Sequence, residues 1–179
     1  GVYIYVGDTS NHRVVRTRFG TTMDADWSAL GKADGAAGAG AGEFHAPYGV
    51  SYDQATQLIY VADANNNRIV STEIDGSNWQ TIGNTNYYYP SEGIHYDAAS
   101  ELVYVTDTSN HRIVRSKIDG SEREDFGIPG SGVGQFSSPR GIFSAPKVRF
   151  RFWPEWRPSS ATTGVFFLKE EGEKASPHR

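Results

Sequence analysis

The chain of 179 residues contains no cysteine and only one methionine. The missing thiols exclude a disulfide framework, a cysteine nucleophile and cysteine-ligated zinc. A chain of this length can bury enough core to fold without such staples. No apolar run approaches the roughly 20 residues that a membrane-spanning helix needs. The opening "GVYIYVGDTS" lacks a basic region and a cleavage pattern of a secretory leader, so the expectation is a soluble chain, processed or truncated. The compartment stays open, with an extracellular one slightly favoured over the cytoplasm. Positive charge is also scarce where it would matter for nucleic acid. Residues 1–146 hold 10 Lys and Arg against 17 Asp and Glu, whereas residues 147–179 hold 7 against 4. An acidic surface repels phosphate backbones, which makes a nucleic-acid partner an unlikely expectation.

What the chain has in quantity is glycine, at 20 residues, and aromatic side chains, at 13%. It also repeats itself. "YIYVGDTSNHRVVRTRFG" from Tyr3, "LIYVADANNNRIVSTEIDG" from Leu58 and "LVYVTDTSNHRIVRSKIDG" from Leu102 are copies of one unit. The aspartates Asp8, Asp63 and Asp107 stand 55 and 44 residues apart, and the longer gap contains the insertion "GKADGAAGAGAGEF". Pro47, Pro90 and Pro139 form a second landmark at intervals of 43 and 49. The period is about 44 residues, and it is a period of strands.

Within one unit four strand signals lie between turn signals. "YGVSYD" is the first, and "DQAT" turns the chain into "QLIYVAD". In that second run Leu58 and Tyr60 alternate with Ile59 and Val61, so both faces are apolar, as in a strand covered on both sides. "NNN" is a turn, because Asn tolerates left-handed backbone angles. "RIVSTEI" is the third strand, "DG" a hairpin signal and "NWQTIG" the fourth strand. Such a four-stranded meander cannot bury both faces alone, so the copies must stack, and a ring leaves fewer open edges than a linear pile. The expected fold is all-β: a β-propeller of four-stranded antiparallel blades.

"GSGVGQFSSPRGI", taken with "YDAASELVYVTDTSNHRIVRSKIDG", resembles the NHL-repeat family. That family runs from a glycine-rich stretch through Gln-Phe and Pro-x-Gly to Tyr-Val-x-Asp and Asn-His-Arg-Ile. The resemblance covers about residues 2–143. A weaker likeness to YWTD-type propellers lies in "STEIDGSNWQTI", although Val-Ala-Asp and Val-Thr-Asp replace the Trp-Thr-Asp signature. The resemblance implies a propeller of about six blades that works most often as a binding platform.

The repeat region is assigned to residues 1–146. It holds a partial copy at 1–31, full copies at about 42–84 and 85–127, and a partial copy at 128–146, about three blades' worth in all. Residues 147–179 form a basic, aromatic tail that matches no landmark. Three expectations account for the incomplete ring: a fragment of a larger propeller, copies that complete one another's open faces, or closing strands from "VRFRF" and "GVFFL" in the tail.

His12 and His111 occupy the same turn position, which Asn67 takes in the middle copy. Turn histidines on separate blades make a poor pair of metal ligands, so they are assigned structural roles. Asp8, Asn11 and Arg13 recur as Asp63, Asn66 and Arg68, and as Asp107, Asn110 and Arg112. A residue needed once per blade is structural rather than catalytic, with Asp and Asn holding the turn and Arg packing or pairing between blades. Peptide-amidating lyases with the same repeat resemblance hold zinc through a histidine after the landmark proline. Here that position carries Tyr48, Ser91 and Arg140, and His45 and His95 are assigned to a strand end and a strand. "GAAGAGAG" follows no clear strand and opens no helix, so it is not a phosphate cradle. "YYYP" at 87–90 is either an aromatic platform or a core filler, and the core filler is preferred. No N-glycosylation sequon is present.

These readings lead to a non-enzymatic binding or scaffold module with neither cofactor nor metal. Its partners are expected to be proteins or further copies of itself, with carbohydrate as an alternative ligand. Blade-end loops carrying Tyr48, Glu92 and Arg140 are the expected binding residues. A metal-dependent lyase or hydrolase is the rival reading, and an RNA-binding propeller is a weaker one.

Overall fold

The computed structural model describes residues 2–18, 27–82 and 91–144; the tyrosine run at 87–90 and the tail at 147–179 lie outside them. Three antiparallel sheets follow one another along the chain. The first contains β1 (Tyr3–Asp8), β2 (Arg13–Arg18) and β3 (Ser28–Gly31). The second contains β4 (Pro47–Tyr52), β5 (Ile59–Asp63), β6 (Arg68–Thr72) and β7 (Gln80–Ile82). The third repeats it with β8 (Ser91–Asp97), β9 (Leu102–Asp107), β10 (Arg112–Lys117) and β11 (Glu124–Phe126). In every sheet the spatial order is the sequence order, which is a meander. A short parallel pair, β12 (Ile128–Pro129) with β13 (Gln135–Phe136), follows the third sheet.

The three sheets are blades of a partial propeller. β1 is the equivalent of β5 and β9, the second strand of each full blade, because Asp8, Asp63 and Asp107 each pair with the first arginine of the next strand. The first sheet therefore shows strands two to four of a blade among the described residues.

Strand β5 shows what holds the blades together. All five of its residues are buried, and its side chains divide between two separate cores. Ile59 and Val61 pack with Val14, Leu30, Phe44 and Val70 toward the first blade. Tyr60 and Ala62 pack with Ile69, Ile82, Ile94, Val103 and Val105 toward the third. The period of two in a strand makes this division, and apolar residues at both phases make it favourable. Each fully buried Val or Ile contributes on the order of 1.5–3 kcal/mol of transfer free energy.

The turn signals are realised with one difference. The second and third strands of each blade are joined by a single 3-10 turn ending in a left-handed residue: His12 (φ 51), Asn67 (φ 52) and His111 (φ 56). The "DG" pairs do not make two-residue hairpins. Gly76 donates to the carbonyl of Glu73 at 3.0 Å, and Glu73 donates to that of Ser77 at 2.9 Å, so the loop is wider. Of the Asp75-Gly76 pair only Gly76 takes a positive φ, of 88, while the Asp75 carboxylate accepts the N–H of Ser77 at 2.8 Å. Asp thus stabilises a right-handed turn, with Gly as its left-handed exit, instead of entering the left-handed region itself.

Candidate functional site

The recurrent Asp, Asn and Arg form one clasp per blade. Asp63 has no exposed side-chain surface, and its carboxylate accepts from Arg68 Nε at 2.6 Å, Asn66 Nδ2 at 2.8 Å and the backbone N–H of His45 at 2.7 Å. Asp107 receives Arg112 Nε at 2.7 Å and Asn110 Nδ2 at 2.9 Å. Asp8 repeats the pattern nearer solvent, with Arg13 Nε at 2.7 Å and Asn11 Nδ2 at 2.9 Å. The Arg13 bond, followed by the Asn11 bond, holds the Asp8 carboxyl below the usual carboxylate range. The arginine pairs inside its own blade, not with an aspartate of a neighbour. The rest of the Arg68 guanidinium donates to the carbonyls of Ala39 and Glu43 at 2.6 and 2.8 Å. The glycine- and alanine-rich insertion therefore wraps a half-buried cation.

His12 and His111 act between blades. The Ala46 N–H donates to His12 Nδ1 at 3.0 Å, and the Ser138 N–H donates to His111 Nδ1 at 2.9 Å. Both donors immediately precede a landmark proline, whose carbonyl is also held: Thr9 Oγ1 donates to Pro47 O and Thr108 Oγ1 to Pro139 O, each at 2.8 Å. Accepting at Nδ1 places the imidazole proton on Nε2 and leaves the first nitrogen unavailable to a metal. Among the described residues, no group of three or more His, Cys, Asp or Glu side chains is placed to hold a metal ion.

Tyr48, Glu92 and Arg140 occupy equivalent places on successive blades. Tyr48 and Glu92 belong to the innermost strands β4 and β8 rather than to loops. A Cβ built on Gly49 would lie 2.7 Å from the Glu92 carbonyl, and one on Gly93 would lie 2.2 Å from that of Arg140. Only glycine admits so close a backbone approach, which explains the Pro-x-Gly landmark. The third blade has one more residue between proline and glycine, and Ser91 pairs with Asp107 as Pro47 pairs with Asp63. Glu92, not Ser91, is consequently the counterpart of Tyr48 and Arg140. Arg140 Nη1 reaches Glu92 Oε2 at 3.1 Å while remaining 71% exposed, and Tyr48 is 42% exposed.

Further along β8, the His95 ring packs at a tilt against Phe143, with ring centres 4.9 Å apart. Burial lowers the His95 pKa, against a weaker opposing pull from Asp97. Tyr60 and Tyr96 stack at 4.2 Å on the blade interface, and desolvation raises both phenols above their ordinary value.

No protein-family model matches the chain, and no curated protein matches it in sequence. Solved structures do. A chain of the nidogen/laminin complex is 21% identical with a TM-score of 0.59, over 78% of this chain and 47% of that one. Virginiamycin B lyase from Staphylococcus aureus is 15% identical with a TM-score of 0.54, over 78% of this chain and 41% of the other. A catalytically inactive form of that lyase, solved with quinupristin, matches at 16% identity and a TM-score of 0.54. The chain thus spans less than half the length of these solved chains. The likeness shows the β-propeller fold, and it includes both a binding complex and an enzyme.

Proposed function

We propose that the chain is an NHL-like propeller module, without catalytic activity of its own, that recognises a protein partner through the row Tyr48, Glu92 and Arg140. The observation that carries this reading is a division of labour between side chains. The repeated Asp, Asn, Arg and His residues are engaged by the fold, whereas this row changes from aromatic to anionic to cationic at one structural position. A rigid row of inner strands presenting variable side chains suits recognition, and Tyr and Arg are enriched in protein interfaces. The nidogen/laminin complex among the solved neighbours supports a protein ligand.

A random-peptide phage library, selected against the purified chain, tests this. Peptides recovered on the native chain are expected to lose binding to a Tyr48→Ala, Glu92→Ala, Arg140→Ala triple variant that melts at the native temperature. Peptides that bind both chains equally would place recognition elsewhere. Turnover of quinupristin by the native chain would replace the binding reading with an enzymatic one.

A further inference from the structure

A chain without cysteine can still be cross-linked through its phenols, and here tyrosines are held ring against ring between blades. Tyr60 of β5 and Tyr96 of β8 stack at 4.2 Å between ring centres, with 19° between their planes. Tyr5 of β1 and Tyr52 of β4 stack at 4.9 Å and 19°. The two pairs are equivalent. Tyr5 and Tyr60 stand three residues before the clasp aspartates Asp8 and Asp63, and Tyr52 and Tyr96 stand directly before Asp53 and Asp97. Each pair joins the second strand of one blade to the first strand of the next.

Packing alone does not require the hydroxyls. Phenylalanine would stack as well with no polar atom to bury, yet both members of both pairs are tyrosine and Tyr60 is only 3% exposed. The Tyr60 phenol interacts with Thr56, whose hydroxyl donates to the Asp53 carboxylate at 2.7 Å. Asp53 is itself buried and also accepts the N–H of Ala55 at 3.0 Å. A phenol releases its proton when it loses an electron, and a carboxylate behind one bridging hydroxyl is placed to receive it. Tyr96 is the half-buried member, so the pair reaches solvent from its side.

We infer that Tyr60 and Tyr96 form an oxidative cross-linking site, joined into dityrosine by hydrogen peroxide that a haem peroxidase activates. Each phenol gives up one electron and its hydroxyl proton. A carbon–carbon bond then forms between one ring carbon ortho to each oxygen, and the hydrogens displaced from those carbons move to the oxygens. The two electrons and two protons released reduce one hydrogen peroxide to two waters. Rings already parallel and in contact need little further approach, because the fold has set the orientation that free phenols would have to find. The product ties the second blade to the third and restrains the unfolded chain as a disulfide would.

The site is separate from the Tyr48, Glu92 and Arg140 row, so neither reading depends on the other. The full chain, held dilute, is treated with peroxidase and hydrogen peroxide, digested and mapped by mass spectrometry. A peptide pair bridging Tyr60 and Tyr96 is expected, lighter than the sum of its parts by two hydrogen atoms. Dityrosine fluorescence and a raised urea midpoint of the treated monomer are expected with it. Tyr96→Phe, folded by circular dichroism, is expected to lose this peptide pair, and Tyr52→Phe to keep it. A treated native chain in which Tyr60 and Tyr96 stay unlinked would overturn the inference. So would Tyr60 linked to other tyrosines as often as to Tyr96, since the stack would then not direct the bond.

Discussion

His111 Nδ1 accepts the backbone N–H of Ser138 at 2.9 Å, across 27 residues of chain. The same side chain sits in the left-handed region, so one residue both ends a turn and ties its blade to the next connection. His111→Leu is expected to lose the hydrogen bond and to strain the backbone, costing about 2 kcal/mol in urea unfolding. His111→Asn is expected to cost well under half as much, because Asn tolerates that backbone and already serves at Asn67. Equal losses for both variants would show that tolerance of the left-handed backbone is not what matters at this position.

The clasps differ in depth, and depth decides their weight. Arg68→Leu leaves the Asp63 carboxylate buried without its cation and is expected to cost about 3–5 kcal/mol. Arg13→Leu removes the same bond where the Asp8 side chain is 27% exposed, and about 1 kcal/mol or less is expected. Chemical denaturation of the two variants side by side checks the ratio.

Gly93 is the narrowest passage on the inner strands. Gly93→Ala places a methyl group beside the Thr106 hydroxyl and against the Arg140 carbonyl, which cannot be moved without shifting a backbone. A loss of about 1–3 kcal/mol is expected, with weakened amide-exchange protection at Gly93 and Ile94. The open position Gly141, where a Cβ meets nothing within 4 Å, is the control and is expected to tolerate Ala.

Acidification is expected to loosen the contact between His95 and Phe143. Burial lowers the native pKa of His95 below its unfolded value of about 6.5. In that interval the unfolded chain binds more protons, so stability rises with pH. The His95 contribution is complete above about pH 6.5 and is lost as pH falls through the lowered native value. Urea midpoints of the native chain and of His95→Gln, followed between pH 7.5 and pH 5, check it; His95→Gln is expected to show the shallower slope. Asp8, whose carboxyl is held low by Arg13, loses its contribution only at more acid pH, as pH falls from the ordinary carboxylate value through the lowered one.

The strands were legible because burial on both faces imposes an unusual pattern. Ile59-Tyr60-Val61-Ala62 has no polar phase, and the two cores account for it. The repeated Asp, Asn and Arg were legible as a once-per-blade pattern from their spacing. Their partners were not. Arg68 donates to carbonyls about 25–29 residues away in a glycine-rich loop, and backbone acceptors carry no residue-type signature. Counting from proline placed Ser91 where the structure places Glu92, because it is Ser91 that stands opposite Asp107, as Pro47 stands opposite Asp63. Counting back from Gly93, the residue under steric constraint, gives the right equivalence.

The alternation along β5 also sets how damage spreads. Its odd- and even-phase side chains belong to cores that share no residue, so each boundary between blades is a separate contact joined to the next through the strands of the blade between them. Such an array behaves as a row of coupled neighbours, in which a fault at one junction is felt at the adjacent one and fades beyond it.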